Sequence, residues 1–116
     1  SIESNNYLKY LWSKFKIRRS YQSTKALLNK YDLDAFIGLT RGPAWKINYD
    51  GGDYVAMNES LQFGSGGFAA HNGMPHITIP YFEINNFPVG ISIIGDRWFD
   101  KAIIEYASAI EKSRYN

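Results

Sequence analysis

Two runs of strand-forming residues on either side of an Asn-Asn pair restrict this chain more than any other feature. His76 to Pro80 (HITIP) alternates polar and apolar residues, and Pro88 to Ile94 (PVGISII) is rich in β-branched side chains. The connection from Tyr81 to Phe87 holds Asn85-Asn86 as its turn. The pattern predicts a hairpin. Beyond Gly95, Asp96 or Asp100 can cap a final helix in which Ile103, Ala107 and Ile110 fall along one face.

The first half of the chain supplies further elements. From Asn5 to Tyr31 the residues Leu8, Leu11, Trp12 and Phe15, then Leu27, Leu28 and Tyr31, follow helical spacing, as one long helix or two with a break. Asp34 to Leu39 reads as a strand ended by Gly42 and Pro43. A long loop with an Asp50-Gly51-Gly52-Asp53 turn comes next. Gly64-Ser65-Gly66-Gly67 then precedes a short helix, Phe68 to Gly73, which Asn72-Gly73 closes and Pro75 prevents from continuing. The order is helix, strand, short helix, hairpin, helix, the pattern of an α/β fold with helices packed on a mixed β-sheet. Residues 1–116 form a single unit with 1–32 as a helical lead-in.

Composition narrows the function. A chain of 116 residues that is 45% hydrophobic and 16% aromatic can bury one core and is globular. Its net charge of +2 falls far short of a dedicated nucleic-acid binder. With no cysteine, disulfides, thiol nucleophiles and cysteine-based zinc sites are excluded. No apolar run approaches a membrane span, and SIESNNYLKY has no signal-peptide character, so a cytoplasmic location is expected. Lys14, Lys16, Arg18 and Arg19 beside Trp12 and Phe15 suggest a membrane-surface helix. A solvated face of a packed helix explains them better, because basic and apolar residues separate only partly.

Few residues offer catalysis by themselves. A serine nucleophile needs a base and oxyanion donors. Ser65 lies among glycines at a helix start, and Lys46 is the nearest lysine before it, but spacing does not bring them together. The expectation for Ser65 is a helix cap. His71 and His76 lack a third ligand at a zinc-like spacing, His76 reads as a strand residue facing polar neighbours, and Asp50 and Asp53 are too few for a cation loop, so no metal is expected. Trp45 sits on a stiff corner just past a strand end, where open α/β sheets place ligand-site walls. A tryptophan there can equally lid the core.

Three stretches carry a family resemblance. LDAFIGLTRGPAWKINYDGGD, GSGGFAAHNGMPHITIP and FPVGISIIGDRWFDKAIIEYASAIEK resemble, in order and spacing, the carboxy-terminal stretch of the amidase signature family, from about Leu33 to Lys112. The resemblance implies part of an α/β/α sandwich and amide-bond hydrolysis by a Ser, cis-Ser, Lys triad. In that family the triad lies well upstream, in and before a Gly-Ser-Ser-Gly-Gly signature that this sequence lacks. GSGG at 64–67 matches a different serine-rich run, so no catalytic residue is expected here. The chain would be a fragment of a longer amidase or a remnant separated from its catalytic part. Leu39 replaces a proline common in the family, Arg41 differs from the residue many relatives have, and Tyr81-Phe82-Glu83 are bulkier than usual.

The resemblance sets the remaining expectations. Thr40, Gly42, Pro43 and Trp45 would form part of the substrate-side wall. No cofactor is expected. Partners would be a small-molecule amide substrate in the intact enzyme, and either the upstream amidase portion or a second copy held through exposed sheet and helix surface, with neither nucleic acid nor membrane. The alternative is a non-catalytic amidase-like structural or interaction module.

Overall fold

The computed structural model describes residues 2–60 and 63–114. Its elements are α1 (Ile2–Lys30), β1 (Phe36–Leu39), α2 (Gly52–Asn58), α3 (Gly66–Asn72), β2 (His76–Ile84), β3 (Phe87–Ile94) and α4 (Asp100–Arg114). The three strands lie in the order β1-β3-β2. Helices pack on this sheet, so the α/β class holds, but both strand pairs among the described residues are antiparallel and no parallel pair makes the sheet mixed.

The hairpin is longer and tighter than the sequence suggests. Asn85 and Asn86 both adopt positive φ (52° and 68°), the requirement of a two-residue turn whose twist matches its strands. The strands therefore continue to Ile84 and Phe87 instead of ending at Pro80 and Pro88. A bulge between Pro80 and Phe82 leaves Tyr81 without an opposite residue. It resets the alternation, so that Phe82 joins Ile77 and Ile79 on the core face. Pro80 is tolerated because β2 is an edge strand.

Each face of the sheet has its own core. On one, Ile79, Ile91 and Ile93 pack with Ile103 and Ala107 of α4, flanked by Ile77, Phe82 and Ile110. On the other, Ile94 packs with Leu28 of α1, Ala69 of α3 and Met74, with Tyr21 and Phe36 at the margin. Gly73 ends α3 in the left-handed conformation (φ 62°). The Met74 N–H donates to the Ala69 carbonyl and the Gly73 N–H to that of Ala70, which satisfies two helix-end carbonyls and turns the buried Met74 into the core.

Two sequence expectations are corrected here. The segment after Asp50-Gly51 is a helix, α2, begun by an Asx turn in which the Asn48 Oδ1 accepts from the N–H groups of Asp50 and Gly51. Asp96 is drawn away from the start of α4: its Oδ1 accepts from the Tyr21 hydroxyl (2.6 Å) and the Arg97 N–H (2.8 Å), while Asp100 lies inside the first turn of that helix. α1 is one continuous helix.

This Asp96 contact belongs to a polar clamp on α1. Arg97 stacks on the Tyr21 ring at 3.7 Å and donates twice to the Asn72 carbonyl at the end of α3. Ser20 donates to the Asn72 side chain, and Lys25 lies 3.8 Å from Asp96. Burial raises the Asp96 carboxyl, but the Tyr21 and Arg97 hydrogen bonds and the nearby Lys25 and Arg97 charges outweigh it and hold it below the ordinary aspartate value. The hydrogen bond to Asp96, with burial, raises the Tyr21 hydroxyl.

Candidate functional site

The face of the sheet that carries Ile94 changes character along its length. Phe36, Ile94 and His76 share one rung, and Gly38, Ser92 and Thr78 share another two residues along. The first rung meets the α1 and α3 core, whereas the second lies beside the polar end. There the hydroxyls form a row. Ser92 Oγ is 2.8 Å from Thr40 Oγ1 and 2.5 Å from His76 Nε2, and Thr40 Oγ1 donates toward Thr78 at 3.3 Å. Gly90 keeps this row compact, since a Cβ there would lie 2.7 Å from the Thr78 methyl and 3.2 Å from Thr40 Oγ1.

The row supplies ordered hydrogen-bonding groups and not a nucleophile. Ser92 beside His76 has the residue types of a nucleophile and base, but Ser92 is 0% exposed and no substrate carbon can reach its oxygen. Its two neighbours satisfy it, and no buried side-chain polar atom among the described residues lacks a partner. His76 faces hydroxyls, as its alternation with Ile77 and Ile79 indicates.

A second backbone segment walls the polar end. The Ser65 N–H donates to the Thr40 carbonyl at 3.0 Å, the Gly42 N–H donates to Phe63 at 3.3 Å, and Arg41 and Gly64 form a β-bridge. Ser65 makes no side-chain cap on α3, contrary to expectation. Its hydroxyl donates to the Leu39 carbonyl and fastens the Gly-rich segment to the end of β1. Beside this seam lies an open cavity of about 620 Å³ lined by Thr40, Arg41, Phe63, Gly64, Gly66 and Gly67. The Ser65 hydroxyl is engaged by the Leu39 carbonyl, and Lys46 lines a separate cavity that Ser65 does not border.

The four residues expected on the substrate side are divided. Thr40 joins the hydroxyl row and lines the 620 Å³ cavity. Gly42 holds the seam, and Pro43 is half-buried in the corner that follows. Trp45 turns away to a smaller cavity of about 250 Å³ with Lys46, Ala56, Glu59 and Ser60. Arg41 connects the two places: it lines the larger cavity, and its guanidinium lies 5.3 Å from the Trp45 ring centre. Thr78 and Ser92 are site residues that sequence reading did not single out, and Arg41 stood out there only as a departure from the family. Polar residues recurring at alternate positions of both strands were the available signal for the first two. Among the described residues no three His, Asp or Glu side chains gather as a metal site.

Known proteins share this fold. Over 45 residues the chain is 47% identical to one component of the glutamyl-tRNA(Gln) amidotransferase of Thermotoga maritima, a span that is 38% of this chain and 10% of that protein. The structure matches the native peptide amidase of Stenotrophomonas maltophilia with a TM-score of 0.61 and 30% identity, over 76% of this chain and 16% of the amidase. The peptide amidase PAM, crystallised with the competitive inhibitor chymostatin, matches with a TM-score of 0.63 and 34% identity, over 74% of this chain and 16% of PAM. The chain resembles amidase signature enzymes in sequence and in fold. PAM12A aligns likewise, with a TM-score of 0.67 and 33% identity over 78% of this chain and 17% of that one. The amidase-signature likeness thus spans between 10 and 17% of the length of these relatives. No family model matches the chain.

Proposed function

We propose that this chain acts as the carboxy-terminal portion of an amidase-signature hydrolase that cleaves carboxamide C–N bonds. The observation that carries this reading is the likeness to peptide amidase PAM at 34% identity and a TM-score of 0.63. In this reading the Ser, cis-Ser, Lys triad resides in an upstream portion. Thr40, Gly42, Pro43 and Trp45 form the substrate-side loop, with Thr40 at the larger cavity and Trp45 at the smaller one, and the hydroxyl row fixes the end of β1 that carries them. A cytoplasmic location belongs to the same reading.

The test compares ammonia release from a panel of simple carboxamides by the chain alone and by the chain joined to an upstream amidase portion bearing the Gly-Ser-Ser-Gly-Gly signature. The expected outcome is turnover only in the joined form. Turnover by the chain alone that vanishes in Ser65→Ala would overturn the placement of the chemistry upstream. A joined form that is folded yet inert on every amide would favour the non-catalytic module instead.

A further inference from the structure

We propose that the free half of α1 lies flat on the surface of an anionic lipid bilayer. Nothing in this depends on the amide reading above, and none of the residues of that site takes part.

α1 changes face along its length. Its carboxy-terminal half meets the body through Ser20, Tyr21 and Leu28, with Thr24 buried beside them. At about 100° per residue, Leu8, Leu11, Trp12 and Phe15 fall on the opposite side of the same continuous helix. Every described side chain from Ser4 to Arg19 is exposed. The first half therefore stands clear of the body, with its apolar stripe turned away from the side that docks. Apolar and basic residues mix over the whole helix in part because its two halves carry their apolar faces on opposite sides.

The charges around the stripe specify its partner. Between Ser4 and Tyr31 there are seven Lys and Arg and no Asp or Glu, whereas all 11 acidic residues of the chain lie outside that span. Lys9 and Lys16 flank the stripe on one side and Lys14 on the other, and Arg18 and Arg19 continue it toward the body. Among the described residues no salt bridge neutralises any of these five. Trp12 and Phe15 stack at 5.6 Å as one apolar plate, and Lys16 lies 5.4 Å from the Trp12 ring centre, which keeps positive charge beside the aromatic surface. Leucine, tryptophan and phenylalanine rimmed by lysine and arginine suit the headgroup boundary of an anionic bilayer, where the apolar stripe sinks and the cations meet phosphate. Nucleic acid would use the charge but offers Leu8 and Leu11 little to bury against. No helix among the described residues is long and apolar enough to cross a membrane, so the contact is with its surface.

Co-sedimentation of the full chain with vesicles tests this, with the pellet formed in their absence subtracted to remove self-association. The probes are phosphatidylcholine alone and phosphatidylcholine mixed equally with phosphatidylglycerol. Binding to the mixed vesicles is expected to be about a hundredfold tighter and to weaken as salt rises. Trp12→Ala with Phe15→Ala should lower the affinity for the mixed vesicles by about tenfold or more. Arg18→Gln with Arg19→Gln should lower the preference for them by about tenfold. Circular dichroism of each variant checks that α1 persists, and Trp98→Ala, which removes an exposed ring outside α1, should leave binding unchanged. Equal binding to both vesicle types, or to neither, overturns the proposal. Anionic binding that survives Trp12→Ala with Phe15→Ala overturns it as well, as charge attraction without docking of the stripe. Retention of polyuridylate but not of vesicles would assign the face to RNA instead. Self-association lost in the Trp12→Ala, Phe15→Ala variant, with vesicles ignored by the wild type, would assign it to a second copy. Vesicle binding by the chain alone that disappears in the form joined to an upstream amidase portion would assign the stripe to that portion and overturn the proposal for the intact protein.

Discussion

Trp45 illustrates how much one residue's meaning depends on its neighbours. Its ring is half-buried, covered on one side by Arg41 and facing a cavity shared with the buried Ala56 of α2 on another. Neither contact seals it into a core. If the ring forms a substrate wall, Trp45→Ala in an active, joined protein should raise KM or change substrate preference while turnover persists. The loss of apolar contact is worth about 1–3 kcal/mol. Steady-state kinetics over several amides, read with the melting temperature, decides it. A variant that melts earlier but keeps wild-type kinetics on every substrate would make Trp45 a structural lid.

At the scale of elements, α1 depends on a few contacts near its carboxy-terminal end. Among its described side chains Thr24 and Leu28 are buried, whereas Leu8, Leu11, Trp12 and Phe15 form an i, i+3, i+4, i+7 stripe whose members are all exposed by 42% or more. The Tyr21–Asp96–Arg97 clamp is therefore expected to matter to its docking. Asp96 is held below its ordinary value, so its contribution is present above about pH 4, the unfolded aspartate value, and is lost as pH falls through the folded one. Tyr21 is raised, so its contribution is present below about pH 10 and is lost as pH rises through its folded value. Asp96→Asn should cost about 1–2 kcal/mol at neutral pH and flatten the acid limb of a stability profile. Denaturant titrations at several pH values measure it, and an unchanged acid limb would count against the clamp. The elements themselves were largely legible in the sequence: the Asn85-Asn86 turn, the Asn72-Gly73 stop and the Ile103, Ala107, Ile110 stripe each have a local cause. The hydroxyl row was not. Counting back from the turn along an unbroken ladder sets Ile79 opposite Ser92, whereas the bulge at Tyr81 moves Thr78 there. α2 was missed because its start depends on the Asn48 side chain, beneath a Gly-Gly pair that reads as a plain turn.

The molecule as a whole is more open than its length suggests. Its radius of gyration is 18.2 Å, against about 13 Å for a compact chain of this size. Its accessible surface is 8851 Å², against about 6,400 Å² for a folded monomer of the same mass. β1 is an edge strand whose Ile37 is 64% exposed, and an apolar groove of about 350 Å³ runs between it and α4 past Ile93, Tyr106 and Ile110. Unpaired strand edges and open apolar grooves promote association. The isolated chain is therefore expected to self-associate as its concentration rises. Sedimentation velocity across a concentration series checks this, and a compact monomer that unfolds cooperatively at every concentration would mark a self-sufficient domain. The strand order has a kinetic consequence as well. β2 and β3 meet by closing a two-residue turn, an event of about 1–10 μs, and α4 follows directly to cover them. β1 can take its place only by closing a loop that contains α2, α3 and β2, at a larger entropic cost. The segment that carries Thr40 and Arg41 is thus set to join last, on a hairpin that has already formed its other edge.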